Sequence, residues 1–222
     1  MLIKTEPKTF NDLVFADEES VQLLHAILNQ KIAMPGYGKT GLLLYGVFGT
    51  GKTTAAGILC EEIEHALSGD TLGAKPHWVS CDNQKDITEV IKAAEAHRQH
   101  VSFNASRLHY YVFDEVDNLT ALGQQKLKSF LNHTDIICVL TTNFVNNVDA
   151  GVRDRCYLID CNAPSAKQML PRIKQILHAH NLPVPSDRAL IEKIEGTEGS
   201  WRDVLPAVLM LLPYHRYHCM LP

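Results

Sequence analysis

Residues 46 to 53 read Gly46-Val-Phe-Gly-Thr-Gly-Lys-Thr53 and satisfy the pattern G-x-x-x-x-G-K-[ST] at every fixed position. Such a loop suits the binding of linked phosphates. Glycines at 46, 49 and 51 let backbone N–H groups turn inward around an anion, and a following helix adds its positive N-terminus. The expected nucleotide-contacting residues are therefore Gly46, Phe48, Gly49, Thr50, Gly51, Lys52, Thr53 and Thr54. Lys52 is expected on the β- and γ-phosphates and the Thr53 hydroxyl on Mg²⁺, which makes ATP with Mg²⁺ the expected ligand.

Two further segments end in groups that could complete a reaction. Tyr110-Tyr-Val-Phe-Asp-Glu115 is an apolar run that stops in two carboxylates. A carboxylate at the end of a buried strand is costly unless a cation meets it, so Asp114 is expected to help hold Mg²⁺. Glu115 is then the natural group to orient and polarise an attacking water. Leu140-Thr-Thr-Asn143 ends another apolar run, and Asn143 could hydrogen-bond a γ-phosphate or that water.

These residues need a scaffold that brings strand ends together. Short, nearly continuous apolar runs at 41–46, 77–81, 108–113, 135–141 and 156–160 read as strands covered on both faces. Helical periodicity at 52–67, 84–98, 120–132 and 147–152 alternates with them, which predicts an α/β fold with a parallel sheet. In such a sheet ligands gather at the carboxyl ends of the strands. After Pro164 the strands stop. Helices near 165–180, 186–195 and 200–211 follow, separated by Pro183, Pro185 and Gly196. The expected division is an α/β core over 1–163 and a small helical lid over 164–222.

Bulk composition fits this reading. The 222 residues are 45% hydrophobic and 21% charged, with a formal charge of −4. That balance argues against a surface coated in cations for nucleic acid, although a local basic face can still steer one. No apolar run approaches the roughly eighteen residues of a membrane span, and the N-terminus lacks a signal-peptide pattern. A cytoplasmic location is expected, or a nucleoid-associated or nuclear one according to the cell. Cysteines 60, 81, 138, 156, 161 and 219 show no Cys-x-x-Cys spacing, and several lie inside apolar strand-like runs, where a free thiol packs as a small hydrophobe. The eleven histidines form no metal-ligand motif.

The order of phosphate loop, Asp-Glu strand, Thr-Asn strand and helical lid resembles the AAA+ superfamily, and within it the clamp loaders such as replication factor C small subunits. Lys8-Thr-Phe-Asn-Asp-Leu-Val14 resembles the family's opening segment, which leads to the adenine pocket. Asp114-Glu-Val-Asp117 resembles its Asp-Glu-Ala-Asp box. Arg155-Cys156 resembles its Ser-Arg-Cys motif, with Asp154 where the family has Ser. Gly199-Ser-Trp-Arg202 resembles its Gly-x-x-Arg sensor. The similarity runs over roughly residues 6–212.

The resemblance implies roles for two arginines. Arg155 would reach into a neighbouring subunit's site as a finger, a device that contributes about 10³–10⁵ in rate, with Arg153 as the competing candidate. Arg202 would reach from the lid onto the chain's own nucleotide. Lys126 and Lys128 would face DNA, and Ser80-Cys-Asp-Asn83 could sense the γ-phosphate or the state of the DNA. Implied partners are other AAA+ subunits in a homo- or hetero-oligomer, a sliding clamp or helicase, and DNA; no membrane is implied. Clamp loaders carry a collar domain after the lid, and no counterpart is expected in residues 213–222. A truncated loader and a compact protein that assembles differently, such as a helicase loader or DNA-coating ATPase, both fit. So does a nucleotide-binding assembly subunit with weak hydrolysis. A small-molecule kinase fits less well, because the paired acids suit water as the acceptor.

Overall fold

In the computed structural model, which describes residues 5–81, 87–197 and 199–212, five parallel strands form one sheet. They are β1 (Gly41–Tyr45), β2 (His77–Ser80), β3 (His109–Asp114), β4 (Ile136–Thr142) and β5 (Cys156–Asp160), ordered β2-β3-β4-β1-β5. All four neighbouring pairs are parallel. The register aligns Tyr45 with both Thr142 and Asp160, and Ser80 with Asp114. One edge of the sheet therefore receives the ends of the phosphate-loop strand, the acidic strand and the Thr-Asn strand together.

Strand side chains alternate between faces, and the two faces carry separate cores. Leu43, Tyr111, Phe113, Cys138 and Leu140 pack on one side. The helices there are α3 (Ile87–Arg98), α4 (Ala121–Phe130) and the short α5 (Ala150–Asp154), which supply Ala94, Leu127, Phe130 and Val152. Leu42, Leu44, Tyr110, Val112 and Val139 pack on the other against α1 (Glu18–Leu28) and α2 (Lys52–Ser68). Burial on both faces explains the unbroken apolar strands.

Helix α1 is absent from the sequence reading. Its buried stripe is Ser20, Leu24 and Ile27, so a serine stands where an apolar residue would mark the pattern. Ser20 Oγ donates to its N-cap, Asp17, at 2.6 Å and accepts from the Asp160 backbone N–H at 2.9 Å. The expected helix at 147–152 is instead a 3-10 turn at Val145–Asn147 followed by α5, which Asp149 caps through Gly151 N–H. The start of the helix expected from 84, and Asp82 and Asn83 of the polar segment, lie outside the described residues, as does Cys219.

The chain continues as α6 (Ala166–Ala179), α7 (Asp187–Glu195) and α8 (Trp201–Leu209). Ser165 and Gln168 close a capping box at the start of α6. Met169, Ile173, Leu190, Ile194, Val204 and Val208 give these helices an apolar cluster of their own. The five cysteines among the described residues are buried, free thiols. Burial pushes Cys156 and Cys161 up to about 12, so both stay protonated at neutral pH.

Candidate active site

The phosphate loop bends where the sequence permits it. Gly49 and Gly51 sit at φ 78° and 90°, a region that L side chains avoid. A Cβ on Gly46 would lie 2.6 Å from Asn162 N and Cys161 C, so glycine also lets the loop touch the strand beside it. Val47 N–H donates to Asn162 Oδ1 at 3.2 Å, and Thr50 Oγ1 to Val47 O at 3.1 Å. Lys52 is 8% exposed and donates to Gly46 O at 2.9 Å and Val47 O at 2.7 Å. Burial pushes its ammonium below the usual lysine value; Cys161, Asp114, Asp117 and Glu115 act the other way. A buried ammonium whose hydrogen bonds go to loop carbonyls stands ready for an anion.

Beneath the loop lies a connected oxygen network. Thr53 Oγ1 donates to Asp114 Oδ1 at 3.0 Å. Thr141 Oγ1 donates to the same oxygen at 2.5 Å and accepts the Glu115 backbone N–H at 3.0 Å. Glu115 adopts φ 61°, ψ 52°, a left-handed conformation uncommon for a residue with a side chain. The chain turns there directly after β3, which leaves the carboxylate at the cleft. Asp117 Oδ1 accepts from Thr142 Oγ1 at 2.7 Å and from Asn143 N–H at 3.3 Å, so the second acid of the turn fixes the backbone of Asn143.

One cleft of about 310 Å³ collects these groups. Phe48, Gly49, Thr50, Gly51, Lys52, Thr53 and Thr54 line it together with Asp114, Glu115, Asn143 and Arg202. Gly46 supports the loop from beneath rather than lining the cleft. The N-terminal segment and α6 close the far end through Leu13, Val14, Phe15 and Ile176. Helix α8 docks on the loop itself: Trp201 N–H donates to Gly49 O at 3.0 Å, and a Cβ on Gly49 would strike Ser200. Arg202, the next residue, is thereby carried to the phosphate side.

Arg155 is not in this cleft. It precedes β5, at the opposite edge of the sheet. Its Nε donates to Asn132 Oδ1 at 2.7 Å and one terminal nitrogen to Gly151 O at 2.8 Å. Lys39 braces the backbone on both sides of it, donating to Asp154 O at 2.6 Å and Cys156 O at 2.8 Å. Arg153, two residues earlier, keeps a buried Nε without a hydrogen-bond partner. Lys126 and Lys128 lie on α4 and do not line the cleft either, and the Lys128 chain lies against Gly151.

Thr141 and Asp117 were not among the residues read as functional. Thr141 sits inside an apolar strand run, where a threonine reads as an ordinary strand former. Asp117 lies within the Asp-Glu-Val-Asp segment but carries no spacing signal of its own.

The donors suit a magnesium nucleotide. Thr53 and Asp114 offer a hydroxyl and a carboxylate side by side, both hard oxygen ligands. Among the described residues no group of three His, Cys, Asp or Glu is placed to hold a metal, so Mg²⁺ here would draw its remaining ligands from phosphate oxygens and water.

A parallel sheet with a lysine-bearing glycine loop at its carboxyl edge, faced by Asp-Glu and Thr-Asn strand ends, defines a P-loop nucleotide-binding protein. The family described as "ATPase family associated with various cellular activities (AAA)" matches residues 42–160, and the chain belongs to it. Nucleotide binding follows from that membership. Relatives include replication factor C subunit 4 of Caenorhabditis elegans, 27% identical over 95% of this chain and 62% of that protein. Replication factor C small subunit 2 of Pyrobaculum islandicum is 23% identical over 92% of this chain and 61% of its own length. The replication factor C large subunit of Methanosarcina mazei is 24% identical over 91% of this chain and 32% of its length. The chain thus spans about three-fifths of the first two of these relatives. Among the described residues no helix is long and apolar enough to cross a membrane.

Proposed function

We propose that this chain is the ATP-hydrolysing core of a clamp-loader-type subunit, built as an α/β core over 1–163 and a helical lid over 164–222. The observation that carries the reading is the Thr53–Asp114–Thr141–Glu115 network, which sits under the phosphate loop with Lys52 buried beside it. Lys52 binds the β- and γ-phosphates, and the inward N–H groups of the loop share that charge. Thr53 and Asp114 would hold Mg²⁺, which would supply charge neutralisation at the phosphate oxygens. Glu115 orients a water against the γ-phosphorus and takes its proton. Asn143 holds the water or the γ-phosphate in line. The bond from phosphorus to the β–γ bridging oxygen breaks, and ADP and phosphate leave. Catalysis of this kind is mostly positioning and charge stabilisation.

Arg202, next to the Trp201–Gly49 contact, couples the phosphate state to the angle of the lid. Arg155, on the opposite edge of the sheet, reaches a neighbouring subunit's cleft when subunits assemble head to tail. It must first leave Asn132 and Gly151, so an isolated subunit keeps it stowed and turns over slowly. Partners on this reading are other AAA+ subunits, a ring-shaped replication clamp and primed DNA, in the cytoplasm or nucleus. Clamp loading couples ATP binding to partner capture and hydrolysis to release, a population shift driven by γ-phosphate contacts.

Turnover of ATP with and without primed DNA and a sliding clamp tests this. Stimulation by both together, abolished in Lys52→Ala, is expected. Turnover that ignores DNA and clamp alike would move the chain to a different assembly.

A further inference from the structure

One face of α6 is built against the N-terminal segment. Gln168, Arg172 and Ile176 recur every four residues and so form a single stripe. Gln168 Nε2 donates to Ala16 O at 3.0 Å, Arg172 pairs with Asp12, and Ile176 lines the cleft. The ion pair is well covered, with side chains 13% and 18% exposed, and both residues also line the cleft.

Asp12 is the hub of this contact. Its Oδ2 accepts the Lys8 N–H at 2.9 Å, the Thr9 N–H at 3.1 Å and the Thr9 hydroxyl at 3.3 Å, while Oδ1 receives Arg172. Arg172 is steadied in turn by Gln175 Oε1 at 2.8 Å. Burial alone would raise the Asp12 pKa, but the backbone donors and the guanidinium outweigh it and hold the carboxyl ionised. Leu13, Val14 and Phe15, which give the cleft an apolar wall, follow Asp12 directly. The segment's other anchors are Phe10, whose N–H donates to Glu62 Oε1 at 2.8 Å, and Asp17 at the cap of α1. Between those two points Leu13 and Phe15 pack on the core beside α1 and α2, with Phe15 against Phe10, while α6 holds Asp12 and Ala16.

We propose that the Asp12–Arg172 pair is a positioning latch that closes the base end of the nucleotide cleft, tying the wall at residues 13–15 to the lid. The proposal rests on the nucleotide reading of the cleft and extends it to groups that read the base and ribose end. Arg172 and Asp12 act by holding the wall in place, while Lys52 and the loop hold the phosphates. A nucleotide therefore needs the latch, and a chain of phosphates without a base does not.

Titration calorimetry with MgADP and with inorganic tripolyphosphate separates these cases. The proteins are wild type, Asp12→Asn, Arg172→Met, Arg172→Lys, the Asp12→Asn/Arg172→Met double variant, and Lys52→Ala. The expected result is MgADP affinity about tenfold weaker in each neutralising variant, equal to about 1.4 kcal/mol. Tripolyphosphate should stay within about twofold of wild type, and the double variant should be no weaker than the weaker single, since a shared pair is lost only once. Arg172→Lys keeps the charge but loses the planar fork, so it should fall between and serves if Arg172→Met folds poorly. Equal weakening of both ligands, losses that add in the double variant, or MgADP binding like wild type would each overturn the latch while leaving the nucleotide site intact. If wild type binds neither ligand, or Lys52→Ala binds both as tightly as wild type, the nucleotide reading fails and the latch with it.

Discussion

Thr141 donates its hydroxyl to Asp114 Oδ1 at 2.5 Å and accepts the backbone N–H of Glu115 at 3.0 Å. One fully buried side chain on β4 thus orients the carboxylate at the end of β3 and fixes the turn that presents the next one. The site depends on two neighbouring strands being in register, a relationship that no single motif contains.

Thr141→Val keeps the shape and removes both hydrogen bonds. It takes the hydroxyl partner away from the part-buried Glu115 N–H and from Asp114, at a cost of about 1–3 kcal/mol, felt in stability and in the aim of Glu115. The expected outcome is a kcat lowered about tenfold with ATP affinity changed by less than about threefold. Steady-state turnover and nucleotide titration on the same preparation check it. A variant with wild-type kcat would show that Glu115 is aimed by something else.

Glu64 is a buried acid that the chemistry does not use. It accepts from Ser106 N–H at 2.9 Å, Tyr110 OH at 2.9 Å and Ser68 Oγ at 2.9 Å, with the Ser106 hydroxyl as a fourth donor. It pins the loop before β3 onto α2. Burial works to raise its pKa, but these donors prevail and the net shift is downward. A lowered folded pKa means stability present above the unfolded value near 4.5 and lost as pH falls through the folded one. Glu64→Gln should destabilise the chain by about 2–3 kcal/mol at pH 7. The gap to wild type should shrink as the pH falls below 4.5. Denaturant midpoints measured at pH 7 and on acidification read both effects. A gap that holds constant on acidification would deny Glu64 its ionised role.

A second titration belongs to the other face of the sheet, where Tyr111 packs. His77 stacks on His97 with ring centroids 5.4 Å apart, and His97 meets His109 edge-on at 5.4 Å. Tyr111 OH lies 3.1 Å from His97 Nδ1, and Arg98 pairs with Asp135 nearby. Burial, then the neighbouring His97, pushes His77 and His109 below the usual 6.5. The unfolded chain then binds more protons than the folded one, so stability falls as pH drops below 6.5 until the lowered folded values are reached. His77→Phe with His109→Phe should flatten the profile between about pH 7 and 5. Thermal midpoints across that range decide it, and an equally steep profile in the double variant would refute the assignment.

Legibility in the sequence followed the range of each interaction. The phosphate loop is a local motif between a strand and a helix, so its eight residues announced Lys52 and Thr53 directly. Asp114, Glu115 and Asn143 were readable because each ends an apolar run, and a strand end is where a parallel sheet collects ligands. Helix α1 was lost because Ser20 interrupts its buried stripe in order to bond Asp160, 140 residues away. Asp12 and Arg172 are 160 positions apart and meet only through the lid, so neither position stands out alone. Arg155 was visible through its neighbour Cys156 and its likeness to a family motif. That it is stowed against Asn132 could be seen only in three dimensions.

The most direct test of a site shared between subunits mixes two inactive variants. Glu115→Gln keeps its own Arg155 but cannot activate water; Arg155→Ala keeps its own Glu115 but offers no finger. Each alone should turn over ATP at least about 10³-fold more slowly than wild type in the presence of clamp and primed DNA. An equimolar mixture should regain a substantial share of wild-type turnover, because some interfaces then pair an intact Glu115 with an intact Arg155. Arg155→Ala that hydrolyses ATP at the wild-type rate, or a mixture as inactive as its parts, would contradict the account.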